Sequence, residues 1–273
     1  MFEIRKPQNR KAVRQLAGKI YYRTKRRIDC SVGNKKWAKE RGELITQHTV
    51  FEHRSMILRP LKDVDMYLQE NKRVNLELAV AHLNNIIIRP GETFSIWKLV
   101  GRPSRRKGYL DGLVLQQGKI SKGTGGGLCQ LGNLLFWIFA HSPLTIKERY
   151  RHGFDVFPDV NRKVPFGAGA TLAYNHIDLQ VKNETEMPFQ LKVWLDKTHL
   201  IGALISKELL EETYSVAERN HIIKQQIWGG YSRHNQIVQI KEFTNGAVEE
   251  RLLVENHAIM MYNPFLENPQ QSG

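Results

Sequence analysis

Within this 273-residue sequence, the run Gly125-Gly126-Gly127-Leu128-Cys129-Gln130 has the residue types and spacing that chemistry requires. Gly123 precedes it, with Thr124 as the one interruption. Glycines permit a tight turn and close approach by a second stretch of backbone. An apolar helical run starts at about Leu128, which puts Cys129 in a first helical turn. A thiol there faces unpaired N–H groups and the positive end of the helix dipole. Both favour thiolate over thiol, so the pattern predicts a lowered pKa. The amides near residues 127–130 suit the oxyanion formed during acyl transfer. Gly132 and Asn133, three and four residues on, share the face of Cys129 and are small or polar. An open face is therefore expected, with Gly126, Gly127, Gln130 and Asn133 available to a substrate. A buried structural cysteine behind a packing turn fits the same local pattern.

A cysteine nucleophile needs a base, most often histidine. His141 lies at the far end of the same helical run, roughly 18 Å along the axis at 1.5 Å per residue, and is a poor partner. His152 follows a strand-like stretch (TIKERY) and opens the irregular segment His152-Gly153-Phe154-Asp155. Strand ends that feed loops often carry catalytic groups, and Asp155 is placed to orient the imidazole. His176, in a turn between strands, is the weaker choice.

The elements that position these residues read as an α+β fold. It has a mostly antiparallel sheet, a cysteine-bearing helix packed on it, and a basic N-terminal helix. Apolar positions at Ala12, Val13, Leu16, Ala17, Ile20 and Tyr21 recur at helical spacing, predicting a helix over residues 8–27. A second helix is expected over 76–87, ended by Arg89-Pro90-Gly91. The cysteine helix runs over 128–140, with Pro143 just past its end. Strands are expected at 92–97, 113–120, 145–150, 170–174, 177–182, 189–195, 199–205, 236–242 and 248–255. Asn183-Glu184 and Asp196-Lys197 mark turns, and Asn245-Gly246 is a hairpin signal. This divides the chain into a basic helical segment (1–60), an α+β domain (61–265) and a loose tail (266–273).

The formal charge of +14 is uneven. Residues 1–41 hold fourteen Lys/Arg against three Asp/Glu, so +11 of it belongs to that segment. A basic amphipathic helix suits an anionic membrane surface, nucleic acid or an acidic partner, or packs on the body by its apolar side. The remainder is only +3 and carries no nucleic-acid motif, which argues against a nucleic-acid partner. Cys30 and Cys129 match no metal spacing. No metal or cofactor is expected. The first sixty residues hold no secretory apolar core, which predicts a cytoplasmic protein, peripheral at the membrane where the basic helix binds it.

Three further stretches carry a resemblance: Arg89-Pro90-Gly91-Glu92-Thr93-Phe94-Ser95, the GGGLCQ run, and Glu148-Arg149 with His152. With Pro165-Phe166-Gly167-Ala168-Gly169-Ala170-Thr171, Tyr174-Asn175, Ile177-Asp178-Leu179 and Asn183, the sequence resembles the VanW family over residues 75–205. That family takes its name from an accessory protein of B-type vancomycin-resistance clusters. Some extracellular members resemble L,D-transpeptidases, which join peptidoglycan stem peptides through a catalytic cysteine. The resemblance implies Cys129 as nucleophile, His152 as its base, Arg149 as a substrate-carboxylate ligand and Asp155 or Asp178 as the group orienting the histidine. It implies a peptidoglycan-type peptide or precursor as partner, in acyl transfer or amide hydrolysis. A non-catalytic module that captures such precursors, or a membrane-associated partner, is the alternative. Gly169-Ala170-Thr171 stands where some members read Asp-Ala-Thr, so no acid acts at that position here.

Overall fold

A computed structural model describes residues 12–32, 35–44, 47–58, 65–116, 118–156 and 164–264. In chain order come α1 (Ala12–Val32), β1 (His48–Met56), α2 (Met66–Leu83), β2 (Ile86–Ile88), β3 (Thr93–Ser95) and the one-turn α3 (Ile96–Val100). A 3-10 turn, Arg105–Lys107, leads to the hairpin of β4 (Asp111–Gln116) and β5 (Lys119–Thr124). Then follow α4 (Cys129–Ala140), β6 (Thr145–Glu148), β7 (Phe154–Asp155), β8 (Gln180–Lys182), β9 (Phe189–Leu195) and β10 (His199–Ser206). Three long strands close the fold: β11 (Thr213–Gln225), β12 (Tyr231–Glu242) and β13 (Val248–Met260).

Helix α4 is the centre of the core. Its sequence, CQLGNLLFWIFA, is apolar on nearly every side, and a helix with so little polar face is stable only when enclosed. One layer over it is the sheet β1-β10-β9-β2. Gly202 of β10 lets the helix sit close, since a Cβ there would stand 2.7 Å from Ile138. A second sheet, β11-β12-β13-β7, meets the other end of α4. There the Gln239 amide of β12 donates to the carbonyls of Ala140 (2.7 Å) and Ser142 (2.9 Å). A third sheet, β3-β8-β6, carries the strands that lead into and out of the site. Every ladder among the described residues is antiparallel except β13–β7. The expected α+β class and the cysteine-bearing helix are both present.

Local differences from the sequence reading have identifiable causes. Helix α2 begins ten residues earlier than expected and stops at Leu83. Asn85 then turns at φ 62°, and Ile86–Ile88 pair with Phe189–Leu191 as a strand. The stretch 92–97 is a strand only to Ser95, whose hydroxyl accepts the Lys98 amide at 3.1 Å and caps α3. Residues 170–174 form no ladder. Ala173 merely bridges Ile177, and the Thr171 amide is taken by the Tyr150 carbonyl at 2.8 Å. Strand β11 was not anticipated, because most of it is exposed and its residues lack alternation. Nor was β1, which lies within the segment read as helical but pairs with β10 along its length. The expected hairpin at Asn245-Gly246 is formed, with Phe243 and Ala247 closing it and Gly246 at φ 80°. The tail beyond residue 264 lies outside the described residues.

Candidate functional site

The glycine turn is built by the hairpin before it and the helix beside it. Strand β5 delivers the chain to Gly125, whose amide donates to the Leu110 carbonyl at 2.9 Å, while the Gly127 amide donates to Leu113 at 2.9 Å. A Cβ on Gly126 would lie 2.1 Å from the carbonyl carbon of Gly112, so two backbones touch where only glycine fits. Gly127 sits at φ 93° with the Lys72 side chain across it, 2.2 Å from where a Cβ would stand. Helix α2 braces the turn. The buried Asn75 amide donates to Leu110 O (3.0 Å) and Gly126 O (2.9 Å) and accepts from Leu110 N (2.8 Å). Asn71 adds a bond to Asp111 O at 2.8 Å.

Cys129 is the first residue of α4, as the spacing predicts. The environment of the thiol is not what the spacing predicts. The amides of Gly125, Gly126, Gly127 and Gln130 already donate to carbonyls of Leu110, Gly123, Leu113 and Gly127. Of this run, those of Leu128 and Cys129 have no backbone acceptor among the described residues. The face shared by Cys129, Gly132 and Asn133 is only partly open: the segment Gly169–Leu172 lies along it and buries Gly132, while Asn133 stays exposed. The thiol donates to Leu172 O at 3.9 Å. A Cβ on Gly132 would stand 2.6 Å from Ala170 O, and Asn133 Oδ1 accepts the Ala170 amide at 3.0 Å. The residue as a whole keeps some exposure, yet burial pushes the Cys129 thiol up, not down. Desolvation disfavours the thiolate, and here it outweighs the hydrogen bond to Leu172 O, which acts the other way.

His152 is anchored to the same covering segment. Its amide donates to Thr171 Oγ1 at 3.0 Å, so Thr171 and Leu172 stand between the histidine backbone and the cysteine. Among the described residues no hydrogen bond joins the imidazole to the thiol. Burial and the neighbouring Arg151 lower the His152 pKa, favouring the neutral imidazole that a base requires. His141 serves the core instead: its Nδ1 lies 2.8 Å from Trp137 O and its ring stacks on Phe51.

The remaining predicted residues are placed as follows. Arg149 Nε donates to Gly169 O at 2.7 Å, and its Nη2 to Gly167 O and to Asn256 Oδ1 (2.9 Å). It thus shapes the covering loop from beneath, and burial, with Arg151 beside it, pulls the guanidinium down to about 9. Gln130 ties the end of β1 through Ser55 Oγ (2.9 Å) and Met56 O (2.8 Å). Asp155 faces the β12–β13 sheet, accepting from the Tyr262 hydroxyl at 3.0 Å with Arg233 at 3.6 Å. Asp178 is turned to α3. It accepts from Ser95 Oγ (2.6 Å), Trp97 N (3.3 Å) and Leu179 N (2.9 Å). Burial pushes its pKa up to about 6 against the pull of those donors.

Sequence reasoning missed four contributors: Asn75, Lys72, the Leu172 carbonyl and Glu148. A polar residue on the apolar face of a helix, as Asn75 is beside Leu76, was the available signal. A backbone acceptor such as Leu172 O leaves no signal at all. Glu148 accepts from the Asp178 amide at 3.0 Å and forms a bidentate pair with Arg26 of α1. Among the described residues no group of three or more His, Cys, Asp or Glu is placed to hold a metal.

A family model described as VanW like protein matches residues 71–205, from the brace on α2 to β10. Over 227 residues the chain is 35% identical to the vancomycin B-type resistance protein VanW of Enterococcus faecalis, covering 83% of this chain and 82% of that protein. The chain belongs to the VanW family. A further relative, the uncharacterized protein YoaR of Bacillus subtilis, is 30% identical over 139 residues, covering 50% of this chain and 43% of its own. No solved structure matches. In this VanW-family chain the glycine turn, Cys129, Arg149, His152 and the covering loop all fall within the matched span, whereas Asn256, which receives Arg149, falls outside it.

Proposed function

We propose that this VanW-family protein performs cysteine-dependent acyl transfer or amide hydrolysis on a peptidoglycan-type peptide, with Cys129 as nucleophile and His152 as base. The supporting observation is that both residues are fastened to one short segment: the thiol to Leu172 O and the His152 amide to Thr171 Oγ1. Displacing that segment by the width of a peptide strand frees the thiol and opens a path to the imidazole in one movement. His152 then takes the thiol proton, and the sulfur attacks the amide carbon. The amides of Leu128 and Cys129 lie at the helix start where the oxyanion forms. The C–N bond breaks as His152 returns the proton to the leaving amine, giving a thioester. An acceptor amine or water attacks the thioester and releases the thiol. In this scheme Arg149 acts through the loop it shapes, Gly126, Gly127 and Gln130 hold the turn and helix start in place, and the exposed Asn133 meets the peptide.

The raised thiol pKa favours a second reading, a module that binds wall precursors without chemistry. Mass spectrometry after incubation with stem peptides separates the two. A mass increase confined to Cys129 and lost in Cys129→Ser is expected for catalysis. Peptide binding of equal strength in both proteins, with no adduct in either, would reject the catalytic reading.

A further inference from the structure

Helix α1 is mounted on the body by its basic side. Arg23 Nε and Nη2 donate to Tyr174 O at 3.1 and 2.9 Å. Arg26 pairs with Glu148 and also donates to His176 O at 3.1 Å. An amphipathic helix that merely completes a core turns its apolar stripe inward. Here the stripe faces out. Leu16, Ile20 and Ile28 lie at four- and eight-residue intervals along one side with Tyr21 beside them. Their exposures are 61%, 58%, 56% and 62%. Arg14, exposed, borders that stripe and Arg27, also exposed, projects within it, while Lys25 lies toward the cleft that Arg26 shares with Glu148; residues 1–41 carry +11.

We infer that α1 lies on an anionic membrane surface, with the Leu16–Ile20–Ile28 stripe in the headgroup boundary and Arg14 and Arg27 against lipid phosphates. The composition fits such a surface: large apolar side chains for the hydrocarbon edge, and cations beside and within the stripe for anionic headgroups. A folded protein partner would need complementary acidic side chains and a groove of fixed shape, whereas a bilayer accepts any stripe of this width. No helix among the described residues is long and apolar enough to cross a membrane, so the attachment is interfacial. Arg23 and Arg26 then act as the mount that carries the body beneath the membrane. The mount ends at Tyr174, two residues from the Leu172 carbonyl that receives the Cys129 thiol. The inference stands independently of any chemistry at Cys129.

The test is co-sedimentation of the full chain with vesicles of phosphatidylcholine, with and without about 30% phosphatidylglycerol, at low and high salt. The expected result is binding to the anionic vesicles that weakens at least ~tenfold as salt rises. Ile20→Glu with Ile28→Glu should lose about tenfold or more at every salt concentration, because a charged residue replaces each buried one. Arg14→Glu with Arg27→Glu should weaken binding and flatten its salt dependence. Circular dichroism checks that each variant keeps its fold. Equal binding to both vesicle types, unaltered binding by the Ile20/Ile28 variant, or no binding at all overturns the inference. Concentration-dependent dimerisation in solution that the Ile20/Ile28 variant abolishes overturns it too, by assigning the stripe to a second copy of the chain.

Discussion

The thiol of Cys129 points at the carbonyl of Leu172, 3.9 Å away, and that contact governs what the cysteine can do. Burial of the sulfur holds it as a thiol, against the opposing pull of the Leu172 hydrogen bond. Reactivity at this site is therefore a property of the covering segment as much as of the helix start.

Cys129 in the free protein should alkylate slowly at neutral pH. Because burial raises the thiol pKa, the pH profile of iodoacetamide labelling should rise above the free-cysteine midpoint of about 8.5. Residue-resolved mass spectrometry measures it. A midpoint below that of free cysteine would mean that the segment already stands open in solution.

Gly132→Ala should lift the cover. The new methyl would stand 2.6 Å from Ala170 O, and neither the helix nor the Asn133-bound loop can yield without moving the other. A destabilisation of about 1–3 kcal/mol is expected from overpacking, together with faster alkylation of Cys129 than in the parent. Urea unfolding and the labelling assay read the two effects separately. Unchanged labelling would detach Gly132 from control of the site.

Asn75→Ala removes three hydrogen bonds from the glycine turn and leaves Leu110 and Gly126 short of partners. Leaving buried groups unsatisfied costs about 1–3 kcal/mol. Chemical denaturation should show a loss in that range. Asn75→Asp restores one acceptor but no donor, so it should recover little of the loss.

Asp178 gives the fold a pH dependence of unusual sign. Its folded pKa lies at about 6, above the ordinary 3.8, so the native state holds this proton more tightly than the unfolded chain does. Its contribution is full below about pH 4 and is lost as pH rises through about 6, by ~3 kcal/mol in total. Glu148 and Arg26 stand nearby and act on it in opposite directions. The difference in unfolding free energy between the parent and Asp178→Asn should therefore change between pH 4 and pH 7 in favour of the Asn variant. A constant difference across that range would contradict the assignment.

Arg26→Ala should release α1 without disturbing the core. The Arg26–Glu148 pair is shielded, at 15% and 27% side-chain exposure, and its loss leaves the Arg23 bonds to Tyr174 in place. Limited trypsin digestion should cleave within α1 more rapidly, since proteolysis follows the population of locally opened states. An unchanged cleavage rate would assign the mount to Arg23 alone.

Much of the site was legible because its signals are local. The GGGLCQ run fixed the turn and the start of α4, since glycine is demanded wherever backbones touch, as at Gly112 and Gly126. The apolar run to Ala140, with Pro143 just beyond, disclosed the helix and its end. What stayed hidden depends on distant partners. Asn133 is exposed, as expected, but its oxygen serves Ala170, 37 residues away. Asp155 and Asp178 each sit a few residues from a histidine, yet answer to Tyr262 and Ser95. The direction of the Cys129 pKa shift was missed for the same reason. Helix position can be read from spacing, whereas desolvation by the surrounding fold cannot. Strand β11, exposed and without alternation, offered no period to detect.

The long β12–β13 hairpin lies beyond the span that the family model covers, and it reaches back to the loop opposite the cysteine. Asn235 donates to Phe166 O and to Glu218, and the Asn256 amide donates to Asn235 Oδ1 at 2.9 Å. A chain cut at residue 205 would retain Cys129, Arg149 and His152 while losing the two asparagines that keep Phe166 and Arg149 in register. Similarity across relatives and mechanical completeness thus have different boundaries here: a minimal working unit must extend through β13.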